Sequence, residues 1–111
     1  APGDRVDFRH RGIAHITGGG IPGNLDRVLP PTVDAVVRRD SWTQPAVFGE
    51  LARLGRVADD EMARTFNLGI GMILVVAAGA VDAACALLAA HDPKRIGEIV
   101  DGGTGVVRLA E

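Results

Sequence analysis

The feature that most constrains the fold is a long apolar stretch, residues 70–90, in which Asp82 is the only charged side chain. Its length matches the roughly 20 residues that a membrane-spanning helix needs. Its character changes midway, however. Residues 70–76 are rich in large aliphatic side chains, as in a buried strand, whereas residues 83–90 are rich in Ala and Leu, as in a helix. An aspartate deep in a bilayer would cost about 2.5–3.5 kcal/mol. The stretch therefore predicts a buried strand followed by a buried helix, and no membrane association.

Composition narrows the class of protein further. The chain has 111 residues, 47% of them hydrophobic, which suits one globular domain over residues 1–111. The formal net charge of −2 gives no basic field for nucleic acid. Aromatic side chains for base stacking are few and scattered, so nucleic-acid binding is not expected. The single cysteine, Cys85, cannot form an internal disulfide, and a cytoplasmic location is expected.

Helices and strands are predicted to alternate along the chain. Residues 12–17 and 33–38 read as strands, and residues 21–29, 45–54 and 79–91 as helices. A further short helix begins at residues 59–61, where three carboxylates favour a helix N-terminus.

Two local expectations concern the middle and the end of the chain. In the second helix, Val47, Leu51 and Leu54 form one apolar stripe, and Gly55 is expected to end the helix in a left-handed conformation. Residues 95–100 and 105–109 are expected to pair as a hairpin. The sum is an α/β or α+β domain with four or five strands.

The segment of residues 15–24 contains the pattern that is most informative about function. It places a strand, the three glycines Gly18, Gly19 and Gly20, and then a helix N-terminus. Glycines let backbone N–H groups approach a phosphate closely, and a helix start adds positive potential. No Gly-Lys-Ser/Thr follows, so this is not a Walker loop. A tight glycine turn without a ligand explains the same pattern equally well.

Polar side chains around these glycines are candidates for supporting roles. His15 is able to donate to a phosphoryl oxygen or move a proton, and Thr17 offers a hydroxyl donor. Asn24 either holds the loop or caps the helix, and capping is the simpler interpretation. No Cys or Glu cluster joins His10 and His15, so a metal site is not expected.

A second unusual segment spans residues 64–72. Gly69 and Gly71 flank Ile70 where a strand begins, and they admit a ligand or another backbone closely. Arg64 is able to pair with phosphate, although a solvated arginine and a β-bulge are the simpler interpretation of this segment.

Together these segments resemble the aminoimidazole ribonucleotide synthetase (phosphoribosylformylglycinamidine cyclo-ligase) family. The resemblance is carried by residues 14–30, by Ser41 and Trp42 followed by Pro45 and Phe48, and by residues 61–72. It extends over residues 12–109, whereas residues 1–11 read as a poorly matched leader.

The resemblance implies an ATP-dependent ligase of purine biosynthesis. In this family, ATP, with Mg²⁺, activates the formyl oxygen of formylglycinamidine ribonucleotide, and ring closure follows with loss of phosphate. Members are homodimers about three times longer than this chain. Their C-terminal domain is a layered, partly ferredoxin-like α/β fold, of which this chain is the later part.

The resemblance also assigns candidate site residues. His15 takes a supporting catalytic role. Substrate or phosphate binding falls to the following residues: Thr17, Gly18, Gly19, Gly20, Asn24, Arg64 and Asn67.

The sequence departs from the family in two ways, and two other functional interpretations stay open. The N-terminal domain and the first strand and helix of the C-terminal domain are absent from the sequence, so the chain alone is expected to be inactive. One alternative is another synthetase of the same superfamily. The other is a non-catalytic α/β module that binds a nucleotide or a protein through its glycine loops.

Overall fold

A computed structural model describes residues 12–110 and shows an α/β arrangement of five strands and four α-helices within that range. The strands are β1 (Gly12–His15), β2 (Val33–Arg38), β3 (Met72–Val75), β4 (Gly97–Asp101) and β5 (Val107–Ala110). The helices are α1 (Gly20–Leu25), α2 (Ala46–Gly55), α3 (Asp59–Thr65) and α4 (Val81–Leu87). The expected fold class is confirmed. No helix of residues 12–110 combines the length and apolar character needed to cross a bilayer.

The strands form two separate sheets. β1 and β3 pair antiparallel, with Gly12 opposite Val75 and His15 opposite Met72. The other sheet has the order β4-β2-β5, in which β4 runs antiparallel and β5 parallel to β2.

The predicted hairpin between the last two strands is therefore wrong, because β2 lies between β4 and β5. The chain after β4 turns past the start of β2, where the N–H groups of Gly102 and Gly103 both donate to the Thr32 carbonyl. Ala35 and Val37 of β2 are 2% and 3% exposed. A strand this deeply buried is suited to the central position, which leaves both later strands at edges.

The main core lies where α1 meets both sheets. Ile21 and Leu25, one turn apart on α1, are the largest fully buried side chains. They pack with a set of small and β-branched side chains: Ala14, Ile16, Ala35, Val37 and Ile73. A second cluster of Met62, Ala63 and Leu68 lies under α3. Trp42 packs against both clusters and donates its indole N–H to the Leu68 carbonyl at 3.0 Å.

Several helix boundaries differ from those expected. The helix expected over residues 21–29 is α1 followed by a 3₁₀ turn, Asp26–Val28. The helix expected over residues 79–91 is α4 with a 3₁₀ turn on each side. Gly55 does not adopt the left-handed conformation. Arg56 does so instead, with φ of 52°, and its N–H donates to the Ala52 carbonyl.

The expected apolar stripe of α2 faces outward. Val47, Leu51 and Leu54 are 56%, 43% and 70% exposed. Phe48 and Ala52 instead turn toward the second cluster, where the Phe48 ring lies 5.8 Å from that of Phe66. The aromatic side chain, with more apolar area to bury, decides which face of α2 is inside.

Gly20 fixes the contact between α1 and α3. It has a φ of +66°, and a Cβ atom at this position would lie 1.8 Å from the Ala63 carbonyl oxygen. Because that oxygen belongs to the backbone of α3, only a shift of the helix would make room. A glycine is therefore required here by packing as well as by backbone conformation.

We predict that Gly20→Ala lowers the free energy of unfolding by at least about 2 kcal/mol, from the strained φ and the backbone clash together. Gly18→Ala is the matched control, since a Cβ there meets no atom within 4 Å, and it is expected to stay within about 0.5 kcal/mol of the parent. Urea unfolding followed by circular dichroism measures both. Equal stabilities for the two variants would contradict this account of Gly20.

Asp34 is a buried carboxylate that holds the connection between β4 and β5 through hydrogen bonds to its backbone. Its Oδ1 accepts hydrogen bonds from the N–H groups of Thr104 at 2.9 Å and Val106 at 3.0 Å. The Arg108 guanidinium lies 3.7 Å from its Oδ2. These backbone hydrogen bonds, helped by the nearby Arg108 charge, lower the pKa of Asp34.

A lowered pKa in the folded state means that ionised Asp34 contributes stability above its unfolded pKa of about 3.9, and that this contribution disappears as the pH falls through the folded value. We therefore predict that the urea midpoint of the parent falls more steeply between pH 5 and pH 2 than that of Asp34→Asn, which carries no titratable group at this position. Parallel pH profiles for the two proteins would contradict the assigned role of the carboxylate.

Candidate functional site

The glycine loop connects the end of β1 to the start of α1. The Gly20 N–H donates to the Thr17 carbonyl at 3.1 Å, so this amide is used within the loop. Gly18 and Gly19 are exposed, and within residues 12–110 their N–H groups have no hydrogen-bond acceptor. Gly19 has a φ of +98°, which glycine adopts without strain. Two of the three expected amides are thus accessible to an anion.

The buried side chain of Asn24 holds this loop by hydrogen bonds to its backbone. The side chain is 5% exposed, and its Nδ2 lies 3.3, 3.2 and 2.8 Å from the carbonyl oxygens of Thr17, Gly18 and Gly20. Its Oδ1 accepts a hydrogen bond from the Thr17 hydroxyl at 3.3 Å. Asn24 does not cap α1, which is preceded by Gly19 without a side-chain cap. Of the two interpretations of Asn24, the structure shows the loop-holding one.

His15 and Thr17 lie on the exposed side of the same segment. His15 is the last residue of β1 and stands opposite Met72, which is 57% exposed. Between His15 and Thr17, Ile16 is buried, as the alternation of an extended strand requires. The His15 imidazole is therefore accessible from solvent close to the loop. The Thr17 hydroxyl donates its hydrogen to Asn24 and retains its lone pairs.

The structure brings the second segment beside the first. The Ile16 N–H donates to the Gly71 carbonyl at 2.9 Å, which extends the β1–β3 pairing by one residue. On the other side, Gly20 lies against the backbone carbonyls of Ala63 and Phe66. Both ends of the glycine loop are therefore in contact with residues 63–71.

Asn67 shapes the turn that leads into β3. Its Oδ1 accepts the Gly69 N–H at 2.8 Å, and its carbonyl accepts the Ile70 N–H at 3.0 Å. Gly69 has a φ of +99°, and a Cβ there would lie 2.5 Å from the Pro45 Cδ. At this position the close neighbour admitted by glycine is the ring of Pro45. Gly71, in contrast, has open space around it.

Arg64 is held by carboxylates of its own helix. Its Nη2 lies 2.5 Å from Glu61 Oε2 and 3.8 Å from Asp60 Oδ2. The hydrogen bond and charge of Glu61, followed by the charge of Asp60, raise the pKa of Arg64 above its ordinary value. The guanidinium is exposed and borders an open groove shared with Pro22 and Ala63. A phosphate would have to compete with these two carboxylates for Arg64.

Among the residues that the structure describes, no three His, Cys, Asp or Glu side chains are grouped so as to hold a metal ion. A large apolar groove of about 600 Å³ lies between the two sheets and α4, and residues 69–71 form part of its lining. The sequence analysis did not predict this groove. A signal for it is the apolar run from β3 into α4, because most side chains in this run are not fully buried.

Comparison with known proteins supports the resemblance found in the sequence. The model of the family described as AIR synthase related protein, C-terminal domain, matches residues 4–110. This match includes most of the segment of residues 1–11, which lies outside the described residues.

The relatives that this chain matches include three proteins named phosphoribosylformylglycinamidine cyclo-ligase. The Bordetella petrii protein is 51% identical over 92 residues, which cover 81% of this chain and 26% of the relative. The Bordetella pertussis protein is 48% identical over 107 residues, 95% of this chain and 31% of the relative. The Magnetococcus marinus protein is 44% identical over 100 residues, which cover 88% of this chain and 28% of the relative.

The chain thus spans about a third or less of the length of these relatives. The family model nevertheless covers nearly all of it, including both the glycine loop and residues 61–72. The chain therefore belongs to the AIR synthase related protein family, and the segment that it matches is the C-terminal domain.

Proposed function

We propose that this chain is the C-terminal portion of an ATP-dependent cyclo-ligase that converts formylglycinamidine ribonucleotide to aminoimidazole ribonucleotide, and that its glycine loop binds a phosphoryl group of a ligand. Phosphoryl binding by the loop is supported by the pair of accessible amides at Gly18 and Gly19. They lie beside the Gly20 amide, which already donates to the Thr17 carbonyl. The first part is supported by relatives that are named as this cyclo-ligase.

The loop geometry favours anion binding for a physical reason. Consecutive amides on a loop held by a buried side chain need little reorganisation when an anion arrives, so less ordering entropy opposes binding. Asn24 supplies that rigidity, and we assign it a positioning role rather than direct contact with the ligand. Gly20 positions the loop through its contact with α3.

The remaining candidates take supporting roles in this proposal. His15, accessible beside the loop, donates to or exchanges a proton with the bound ligand. Thr17 offers hydroxyl lone pairs at the loop, and Asn67 positions the turn that accompanies it. Arg64 approaches a phosphoryl oxygen only after leaving Glu61. Such exposed ion pairs exchange partners readily because solvent screens them.

ATP and Mg²⁺ enter the proposal through the family. The described residues contain no carboxylate cluster suited to Mg²⁺, so we place the metal and the main ATP site on parts of the longer polypeptide outside this segment. Assembly of that polypeptide as a homodimer in the cytoplasm completes the proposal. When bound, ATP would supply the phosphoryl group that activates the formyl oxygen. The described residues would contribute ligand positioning.

Titration calorimetry on the 111-residue chain tests the loop. We predict that ribose 5-phosphate binds and that ribose does not, since the phosphate makes the contact. Gly18→Val should weaken the affinity at least tenfold, because a branched side chain beside the loop amides hinders the approach of an anion, while a Cβ atom at this position meets no heavy atom within 4 Å.

Leu54→Ala is the control, since Leu54 is 70% exposed on α2, and it should bind as the parent does. Equal affinity for the Gly18→Val variant and the control would refute the proposed phosphate contact. Absence of ribose 5-phosphate binding by the folded parent would refute it as well.

Catalysis is expected to require the rest of the polypeptide. We predict that the purified 111-residue chain, supplied with ATP, Mg²⁺ and formylglycinamidine ribonucleotide, releases no phosphate above the uncatalysed rate. A coupled phosphate assay measures this, with the Bordetella pertussis relative as the positive control. Ring closure by the isolated chain would show that the assignment of ATP activation to the missing part is wrong.

A further inference from the structure

The exposed side of the β1–β3 sheet carries apolar side chains that the proposed phosphate contact does not use. Ile13 and Met72 are 50% and 57% exposed, and Leu74 is half-buried. Ile13 stands directly opposite Leu74, and His15 directly opposite Met72. Because residues directly opposite each other in a sheet share a face, these four side chains form one surface, the outer face of the β1–β3 sheet.

The neighbouring residues show that this exposure belongs to the whole face. Ala14 follows Ile13 and Ile73 follows Met72, and these two residues are only 3% and 8% exposed, because they pack in the main core. Strand alternation thus buries one face of the sheet and leaves the other open. A single exposed apolar side chain is common on a protein surface, whereas adjacent ones on one face indicate a contact surface.

The outer face leads directly into the glycine loop. Thr17 continues the alternation of β1 on the exposed side, and the accessible Gly18 amide follows it. Extended backbone rises about 3.3 Å per residue, so His15 lies at most about 10 Å along the chain from Gly18. A ligand that reaches both places must extend beyond its phosphoryl group, as a nucleotide does.

His15 and Met72 are close neighbours across the two strands. The Ile16 N–H bonds the Gly71 carbonyl, so the next pair along the ladder, His15 and Met72, is a non-hydrogen-bonded pair. Side chains approach most closely in such pairs, with Cβ atoms about 4.5–5.5 Å apart. An imidazole therefore stands beside a flexible thioether, whose polarisable sulfur makes favourable contacts with planar rings.

We propose that Met72, together with Ile13 and Leu74, contacts the uncharged planar group that a ribonucleotide carries at C1′, so that the site selects nucleotides over sugar phosphates. The assignment rests on the proposed phosphate contact, because the glycine loop holds one end of the ligand. The ribose then lies beside Thr17, and the group at C1′ lies against Met72 and His15.

The chemistry of the outer face agrees with such a ligand. None of its four side chains is a carboxylate, so the face does not repel an anion that is held at the loop. Its apolar side chains favour an uncharged group next to that anion, and one polar side chain, His15, is available to orient the group. Specificity is a difference between two affinities. Contact with Met72 strengthens the binding of a nucleotide without strengthening that of its sugar phosphate.

Titration calorimetry on the 111-residue chain with two ligands provides the test. The ligands are ribose 5-phosphate and aminoimidazole ribonucleotide, which share the sugar phosphate and differ at C1′. The parent should bind the ribonucleotide at least tenfold more tightly than ribose 5-phosphate. In Met72→Ala this preference should fall below threefold. Met72→Leu keeps most of the apolar volume and should retain most of the preference.

Two further variants serve as references. Leu87→Ala removes an apolar side chain that is 72% exposed on α4, and this variant should keep the tenfold preference of the parent. Gly18→Val should weaken the binding of both ligands by the same factor, because both place a phosphate on the loop. The ¹⁵N NMR signals of Gly19 and Gly20 report whether the loop keeps its conformation in Met72→Ala.

Two outcomes would overturn the role of Met72 while the phosphate contact stands. One is the same preference for the ribonucleotide in Met72→Ala as in Leu87→Ala, which would leave the outer face for contact with protein. The other is an equal loss of affinity for both ligands in Met72→Ala, which would show a structural role. Failure of the parent to bind either ligand would instead refute the phosphate contact, and this assignment with it.

Discussion

The packing of the buried Asn24 amide beneath the glycine loop is the interaction on which the candidate site depends. Its Nδ2 lies within hydrogen-bonding distance of three loop carbonyls, and its Oδ1 accepts from Thr17. A net contribution of about 0.5–1.5 kcal/mol for each hydrogen bond is sufficient to hold a short loop in one conformation. Because the carbonyls turn inward to Asn24, the amides of Gly18 and Gly19 remain on the solvent side.

Gly20 ties this loop to the rest of the domain. Its lack of a side chain lets α1 approach the α3 backbone at Ala63, while the same helix buries Ile21 and Leu25 between the two sheets. The pairing of β1 with β3 then brings Gly71 beside Ile16. Two segments far apart in sequence therefore meet at one place, and core packing and site geometry depend on the same short helix.

Sequence patterns predicted the elements with strong local signals. The β-branched run of β2 and the glycine loop between β1 and α1 both lie where expected. The predicted pairing of β4 with β5 was wrong because a turn-like sequence between two strands does not exclude a third strand that inserts between them. Because Ala35 and Val37 are buried, β2 takes the central position between β4 and β5. Asp34 accepts a hydrogen bond from the Thr104 N–H in the connection between those two strands. These interactions are non-local, so no short pattern reports them.

For the site, residue types were more predictable than their roles. Asn24 and Asn67 were predicted to bind substrate or phosphate, yet both use their side chains on neighbouring backbone groups, a competition that depends on the final loop geometry. The outward-facing stripe of α2 shows the same limit. Val47, Leu51 and Leu54 form a regular apolar pattern, but Phe48 and Ala52 are the side chains that find the core. Periodicity identifies a helix more readily than its buried face.

The most direct measurement is a ¹⁵N NMR titration of the 111-residue chain with inorganic phosphate. The account predicts saturable downfield shifts of the Gly18 and Gly19 amide protons. The Gly20 amide, already bonded to the Thr17 carbonyl, should change much less. Shifts of Gly18 and Gly19 no larger than those of exposed amides elsewhere, such as Gly79, would contradict the claim that this loop binds phosphate.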